Sequence, residues 1–501
     1  MLNTMPAWNQ HSIEEVDRRA WEAICNWSEH GKVEVVREGI DYSHLIRSFL
    51  WDKVSRAVRQ QCDPDQFEFE AQLLAPVHLP LTPARQAALP LLERLKRPVI
   101  SLFAVRDAIR LKAQSRKPVL FVPYRNARLG TTITTLHQSA QAAVVVPYAR
   151  TVKHDIGIPV RLPRRSSSSA DIKYAGLLYE GVVRGLQAFD IALLPQDAET
   201  LKGQILSQVR QIRAVAEDLA FLLPQAILVF SDNHFPMQSY VHVARREGIP
   251  TIMLQHGLDC EHYCLEEAYA SVIAVWGKAR QQRYQQHSVR QPDRLQITGN
   301  PEYDHLHLPE KIDTSGDYWL WVTRPHTPNK CFSPSRSPHE GLDILAAFLP
   351  VLRQLPDQQL VIKPHPYDYT NLYQDYIDRN GLMHQVKLAT ASVPTLLPNA
   401  SLVISEDSTA GLEAMFWGKR VIHAHFAACP PTVPFAAYDA ALPAYSAEML
   451  QMALAQVQQL TPVQHSQMLQ GQRSFLEDYA GVCDGLAHQR ILSLITEVVQ
   501  R

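Results

Sequence analysis

Two facing α/β domains, each wound around a parallel sheet, are what this 501-residue chain predicts, with a helical segment ahead of them and helices behind. Short apolar runs alternate with helical periodicity in two blocks, and a polar, charged stretch from Leu308 to Asp317 separates the blocks. The residues richest in chemistry stand directly after the apolar runs, where open parallel sheets bind ligands. The chain therefore divides into 1–97, helical; 98–307, a first parallel-sheet domain; and 308–501, a second one ending in helices.

In the first segment, Leu45, Ile46, Phe49, Leu50, Val54 and Val58 form an apolar stripe at helical spacing along Tyr42 to Gln60, with Arg47, Lys53, Arg56 and Arg59 off it. A helix packed on its neighbour accounts for the stripe; a membrane-surface helix is the alternative. The alternation starts with a strand at Val119 to Val122, the loop Pro123 to Gly130, a polar helix ending near Gln141 and a strand at Ala142 to Val146. Four serines within Arg164 to Ala170 read as a flexible loop, and Asp197 to Leu223 as a long helix. Strands at Ala226 to Phe230, Thr251 to Leu254, Ser271 to Val275 and Leu295 to Thr298, with helices at Met237 to Glu247 and Ala279 to Gln286, complete the first domain. In the second, strands are expected at Tyr318 to Val322, Leu360 to Ile362, Val386 to Leu388, Leu402 to Ile404 and Arg420 to His423. Helices fall at His339 to Leu355, Asn371 to Asn380 and Thr409 to Trp417, and Ser446 to Arg501 reads as helical throughout.

Forty-nine basic residues against 50 acidic ones leave a formal charge of -1, which gives no nucleic-acid signature. Basic residues are dense only from Arg94 to Arg128 and at Arg161, Arg164 and Arg165, which suits a solvated helix face or an anionic ligand. Met1 to Gln10 lacks the pattern of a secretion signal, and no run of about eighteen apolar residues follows, so a cytoplasmic location is expected. Peripheral association with the inner face of the membrane is a further expectation. Seven cysteines, an odd number, give no disulfide framework. Cys260 and Cys264, with His256 and His262 nearby, lack the second ligand pair of a zinc site and read as free thiols.

The strand Leu360 to Ile362 runs into Lys363-Pro364-His365-Pro366. The prolines hold His365 at the strand end and Lys363 offers a cation, so charge on a departing phosphate can be stabilised there; a rigid turn with a capping histidine is the structural alternative. After Leu402 to Ile404 comes Ser405 to Glu413, where Ser408 or Thr409 caps a helix whose first N–H groups, beside small Ala410 and Gly411, make an anion site. Glu413, one turn in, can accept hydrogen bonds from ribose hydroxyls, or can be the first-turn carboxylate of an ordinary capped helix. Arg324, after Tyr318 to Val322, is a third phosphate-facing candidate. In the first domain Gln255-His256-Gly257-Leu258 projects His256 as a general base, with Gly257 permitting a sharp turn and Asp259 and Glu261 as rival bases or orienting partners. A structural histidine is the alternative there. Arg125, in the loop after the first strand, and Asn300, in Thr298 to Asp304, face the ligand from the same side; the latter segment otherwise reads as a hinge turn capped by Asp304.

With these residues in order, about 225–425 resembles bacterial surface-polysaccharide transferases of the GT-B type, glycosyltransferases built from two Rossmann-like domains. The resemblance rests on Gln255-His256-Gly257, Gly299-Asn300-Pro301 with Asp304, Lys363-Pro364-His365-Pro366, Ser408-Thr409 with Glu413, and Gly418-Lys419-Arg420-Val421-Ile422. It implies a nucleotide-sugar donor on Lys363, Ser408, Thr409, Glu413 and Arg324, and a glycan or lipid-linked acceptor near Asp259, Glu261, Arg125 and Asn300, with His256 and His365 catalytic. It also implies no bound metal or other cofactor. Bacterial sialyltransferases and capsule Kdo transferases, which use CMP-sugars, are similar in the His-Pro turn and Ser-Thr pair, but the acidic-acidic-glycine base motif of the sialyltransferases is absent. CDP-glycerol glycerophosphotransferases are similar at the His-Gly turn, with Gln255 where they carry tryptophan. UDP-GlcNAc 2-epimerases are similar in the Gly-Asn turn, with Ser408-Thr409-Ala410-Gly411 where they have Ser-Gly-Gly. Glycosyl transfer is the reading these residues favour. Sugar-nucleotide epimerisation, glycerophosphate transfer and a non-catalytic role in surface assembly, with 1–97 as the docking element, are the alternatives.

Overall fold

The computed structural model of the chain describes residues 10–30, 35–62, 64–65, 67–68, 103–107, 109, 111, 117–124, 130–138, 142–148, 157–162, 168–232, 234–258, 269–287, 292–324, 339–366, 368–427 and 431–500. Arg125, Asp259, Glu261, Cys260, Cys264 and most of the basic run from Arg94 to Arg128 lie outside the described residues.

Helices α1 (Gln10–His30) and α2 (Tyr42–Cys62) flank a short antiparallel pair, β1 (Val36–Arg37) and β2 (Ile40–Asp41). The stripe of α2 packs on protein: Leu45, Ile46, Leu50, Val54 and Val58 are buried in one apolar cluster with Val182, Ile205, Ile212 and Val241. The first sheet and its helices comprise β3 (Val119–Phe121), α3 (Gly130–Gln138), β4 (Ala143–Pro147), β5 (Ile158–Val160), α4 (Ser169–Gln187), α5 (Pro195–Leu222), β6 (Ala226–Val229), α6 (Met237–Arg246), β7 (Thr251–Leu254), β8 (Val272–Val275), α7 (Lys278–His287) and β9 (Leu295–Ile297). The second comprises β10 (Tyr318–Val322), α8 (His339–Gln354), β11 (Gln359–Lys363), α9 (Thr370–Arg379), β12 (Val386–Leu388), β13 (Ala400–Ser405), α10 (Thr409–Phe416), β14 (Val421–Ala424), β15 (Leu442–Ala444) and α11 (Ala447–Val457). Then come α12 (Pro462–Tyr479) and α13 (Ala487–Gln500).

Among the described residues, the first sheet runs β5-β4-β3-β6-β7-β8-β9 and the second β12-β11-β10-β13-β14-β15, with every pair parallel. Each chain block starts mid-sheet, winds outward, then returns and winds the other way, which is the doubly wound order. The switch points lie between β3 and β6 and between β10 and β13. The sequence pattern did not reveal β5 or β15. Both are short outer strands interrupted by Pro159 and Pro443, a composition that carries no strand signal.

Three further expectations change. Ser168 caps α4 in a full capping box with Asp171, so the last serines of the run begin a helix where a flexible loop was expected. The carboxyl-terminal segment is three helices, because the chain turns after Val457 and again after Tyr479, with Pro462 opening α12. The last of them, although it falls within 308–501, packs Ile491, Ile495, Val498 and Val499 on Leu120, Val144, Leu228 and Ile252 of the first sheet. Asp304 caps it, accepting from the backbone N–H groups of Ala487 and His488 at 2.9 Å each.

Leu258, Trp276 and Tyr303 of the first domain share a buried cluster with Leu320, Val322, Leu412, Phe416 and Phe475, so a continuous apolar seam joins the two sheets. The polar linker is pinned by Lys419, whose buried ammonium donates to Asp313 at 2.5 Å and to the Pro398 carbonyl at 3.1 Å. Burial opposes ionisation of Asp313, but the bonds from Lys419 and Ser315 outweigh it and hold the carboxyl down at about 2. Among the described residues no helix is long and apolar enough to cross a membrane.

The amino-terminal segment seats on α6 through stacked His44 and His242, with centroids 6.3 Å apart and Tyr269 at 4.4 Å from His242. Burial, with positive charge nearby, pushes His44 down to about 4 and His242 to about 3. Both are neutral in the folded chain at pH 7 and titrate near 6.5 when unfolded, so stability is lost as pH falls below about 6.5 toward the folded values. In His242→Phe the drop in Tm between about pH 7 and about pH 4.5 should be smaller than in the wild type, which thermal melts at both pH values check.

Candidate functional site

The carboxyl ends of β10, β11 and β13 form one rim of the second sheet. Because β10 lies between the other two, the Lys363-Pro364-His365-Pro366 turn and the start of α10 are two strand spacings apart, roughly 10 Å. Thr323 and Arg324, at the end of β10, fill the gap. The switch point places Arg324 opposite Glu406 to Thr409, so those residues occupy the position where doubly wound sheets hold ligands.

The His365 turn is held through its backbone. Its N–H donates to the Thr323 hydroxyl at 3.0 Å, and that hydroxyl donates to Asp368 at 2.5 Å. Asp368 also accepts from the Tyr369 N–H at 2.8 Å and the Tyr373 hydroxyl at 3.0 Å. Burial pushes the Asp368 carboxyl up to about 6, against the pull of those donors. The turn that carries the half-buried His365 is thus held by residues outside the sequence motif: Asp368 is two residues beyond it and Tyr373 sits in the next helix. Lys363 turns its ammonium to the Pro364 carbonyl at 3.2 Å.

Ser408 is the N-cap of α10, extended at φ -149°, with its hydroxyl accepting from the Ala410 N–H at 3.3 Å. Gly411 is small for a packing reason: a Cβ there would come within 2.7 Å of the Phe435 ring, so its job is close approach between α10 and the 435 loop. Arg324 is buried and turns inward to Asp407, at 3.5 Å, while its N–H donates to Glu406 at 3.2 Å. Its guanidinium therefore serves a buried network and not the rim alone.

Asp407 is the centre of that network. It pairs with His423 at 2.8 Å, His425 at 3.3 Å and Arg324, and accepts from the Thr432 N–H and hydroxyl at 3.0 and 3.1 Å and from the Val433 N–H at 3.4 Å. Burial works against its charge, but the hydrogen bonds from His423 and His425 prevail and hold the carboxyl well below the usual range. Among the described residues, Asp407, His423 and His425 are the trio whose ligand atoms lie within 4.8 Å of one another, as a metal would need. A carboxylate offers about four lone-pair sites, and this one serves more donors than that with a guanidinium beside it, so the donor set suits a hydrogen-bonded hub better than a cation.

The first domain supplies the opposite wall. Gln255 locks the turn after β7: its side chain donates to the Gly257 carbonyl at 2.8 Å and accepts from the Trp276 N–H at 2.8 Å, and its carbonyl accepts from the Trp276 indole at 2.9 Å. Gly257 makes this turn without entering the left-handed region, and its carbonyl is braced by Gln255. His256 is exposed, its ring 6.0 Å from Phe230 at the end of β6. Leu258 then donates its N–H to the Thr409 hydroxyl at 3.4 Å, so the two strand-end motifs meet. Glu413 lies at the same seam and accepts from the Tyr303 hydroxyl at 3.2 Å. Asn300 is buried and caps the short 3₁₀ turn Pro301–Tyr303 by accepting from the Glu302 N–H at 3.1 Å, which turns its amide oxygen to its own backbone.

No family model and no curated protein matches the chain. Among solved structures it is similar to UDP-GlcNAc 2-epimerase of Neisseria meningitidis bound to UDP-GlcNAc, at 14% identity over 76% of this chain and 100% of that one, with a TM-score of 0.47. The S. aureus MnaA–UDP structure matches at 13% identity over 77% and 97%, TM-score 0.49, and a glycosyltransferase of Rickettsia africae at 11% over 77% and 100%, TM-score 0.43. The fold itself is established by the two sheet orders.

Removing the centre of the buried network leaves cations and histidines without their counter-charge. Asp407→Ala should lower stability by about 3–5 kcal/mol, as breaking a buried pair does, while Thr323→Val should cost about 1–3 kcal/mol by taking the acceptor from the His365 N–H and one of three donors from Asp368. Denaturant melts of the two variants check both figures.

Proposed function

We propose that the chain is a glycosyltransferase, moving a sugar from a nucleotide-sugar donor to a glycan or lipid-linked acceptor without a bound metal. The observation that carries this reading is the meeting of Leu258 with Thr409: it sets the His256 turn of one sheet against the amino-terminal end of α10 at the switch point of the other. A helix start offers backbone N–H groups to a phosphate, and an exposed imidazole across the seam is suited to take a proton.

In the reaction, the bond from the anomeric carbon to the phosphate oxygen breaks and one to the acceptor oxygen forms. His256 takes the acceptor's proton. The charge left on the departing phosphate falls on the first N–H groups of α10 and on His365, with Lys363 and Arg324 adding positive charge at the rim. Glu413 accepts from the ribose. Asn300, together with Asp259, Glu261 and Arg125, belongs to the acceptor side of this proposal, and a lipid-linked acceptor would bring the chain to the inner face of a membrane.

Epimerisation, the activity that names the Neisseria meningitidis neighbour, needs no acceptor, and this separates it from transfer. Incubation with UDP-GlcNAc alone should leave the sugar unchanged; a new isomer would replace this proposal with the epimerase. A thermal-shift panel of UDP, CMP, CDP and GDP should name the base by preferential stabilisation. His365→Ala should cut donor turnover by about 100-fold with Tm unchanged, and full activity in that variant would remove His365 from the mechanism. Activity should survive EDTA; loss on chelation with recovery on adding manganese would overturn the metal-free part of the proposal.

A further inference from the structure

Thr409 and Glu413 stand four residues apart on α10 and so share one face. That face is turned to the first domain, Thr409 meeting Leu258 and Glu413 meeting Tyr303. Tyr303 is only 9% exposed, and its ring is held between Trp276, at 5.7 Å, and Phe416, at 5.1 Å. Its backbone is equally constrained, since Asn300 caps the turn that carries it and Asp304, the next residue, caps α13. The phenol hydroxyl therefore has a fixed place, set by the opposite domain, while the Glu413 side chain has three rotatable bonds to settle.

We propose that Tyr303 is a positioning residue, orienting the Glu413 carboxylate to accept from the ribose hydroxyls of a bound nucleotide, so that selection for ribonucleotides depends on the domain that does not carry the phosphate site. This rests on the nucleotide-sugar reading of the site. A phenol donor occupies one lone pair of a carboxylate that offers about four, which fixes its plane and keeps its charge for further donors. No bond is made or broken by Tyr303. The seam contact is also a domain-docking bond, and the ribose preference distinguishes the two roles: docking affects stability, whereas orientation affects discrimination at the sugar.

The test is titration calorimetry on the full chain with UDP, CDP, GDP, ADP and CMP, each beside its 2′,3′-dideoxy analogue. The wild type should bind the ribose form of its preferred nucleotide about tenfold more tightly than the dideoxy form, about the size of one hydrogen bond to a charged group. Tyr303→Phe, which keeps the ring between Trp276 and Phe416, should lose most of that preference while binding the dideoxy form as the wild type does. Glu413→Gln should lose it too, and the double variant should lose no more than Glu413→Gln alone, because the two act as one unit. If Tyr303→Phe keeps the full preference and only its Tm falls, Tyr303 is a docking residue and the proposal fails. Equal binding of both forms by the wild type also defeats it while leaving the nucleotide reading intact; absence of binding by every nucleotide defeats both. Melting curves establish that Tyr303→Phe is folded, and if it is not, Glu413→Gln decides alone: an unchanged preference there overturns the proposal.

Discussion

Everything at the candidate site depends on an apolar seam. Leu258, Trp276 and Tyr303 on one side and Leu412, Phe416 and Phe475 on the other are buried together, and burial of such surface contributes roughly 25 cal/mol per Å² without specifying direction. Direction comes from the few hydrogen bonds threaded through it: Gln255 to Trp276, Leu258 to Thr409 and Tyr303 to Glu413. The seam brings the sheets together, and these bonds decide which residues of each rim face one another. The last helix adds a strap, running from the second block back to the first sheet and capped by Asp304 where it arrives.

The electrostatic arrangement around the rim follows from the same burial. A site for an anion would be poorly served by Glu406, Asp407 and Asp368 if their charges were uncompensated. Each is engaged by protein donors: Asp407 by His423, His425, Arg324, Thr432 and Val433, Asp368 by Thr323, Tyr369 and Tyr373, and Glu406 by the Arg324 N–H. The helix start at Ser408 is then an electropositive element at the switch point. The carboxylates have become structural, tying three strand ends and the 432–433 loop into one rigid edge.

The motifs were legible to different depths. Prolines around His365 and the Ser-Thr pair before a helix announce a turn and a cap from sequence alone, because those conformations are set by covalent geometry and by hydrogen bonds a few residues long. The partners were not legible. Thr323 holds the His365 N–H from 42 residues away, Tyr303 reaches Glu413 across 110, and Leu258 reaches Thr409 across 151. Gly411 and Gly257 illustrate the same gap. From sequence Gly411 reads as room for an anion and Gly257 as a sharp turn, yet the neighbour that explains Gly411 is Phe435, and at Gly257 the bracing comes from Gln255.

What the sequence by itself determined was the two-block alternation of strands and helices, the expectation of two parallel sheets, and the strand ends that carry chemistry, since these follow from local periodicity and from the crossover rule. Only the tertiary structure decided that β10 separates the His365 turn from α10, that the last helix belongs on the first sheet, and that Arg324 and Glu413 answer to Asp407 and Tyr303. The reason is physical: an amphipathic helix or an apolar strand shows that one face must be buried, but which surface buries it is settled by the packing of the whole chain.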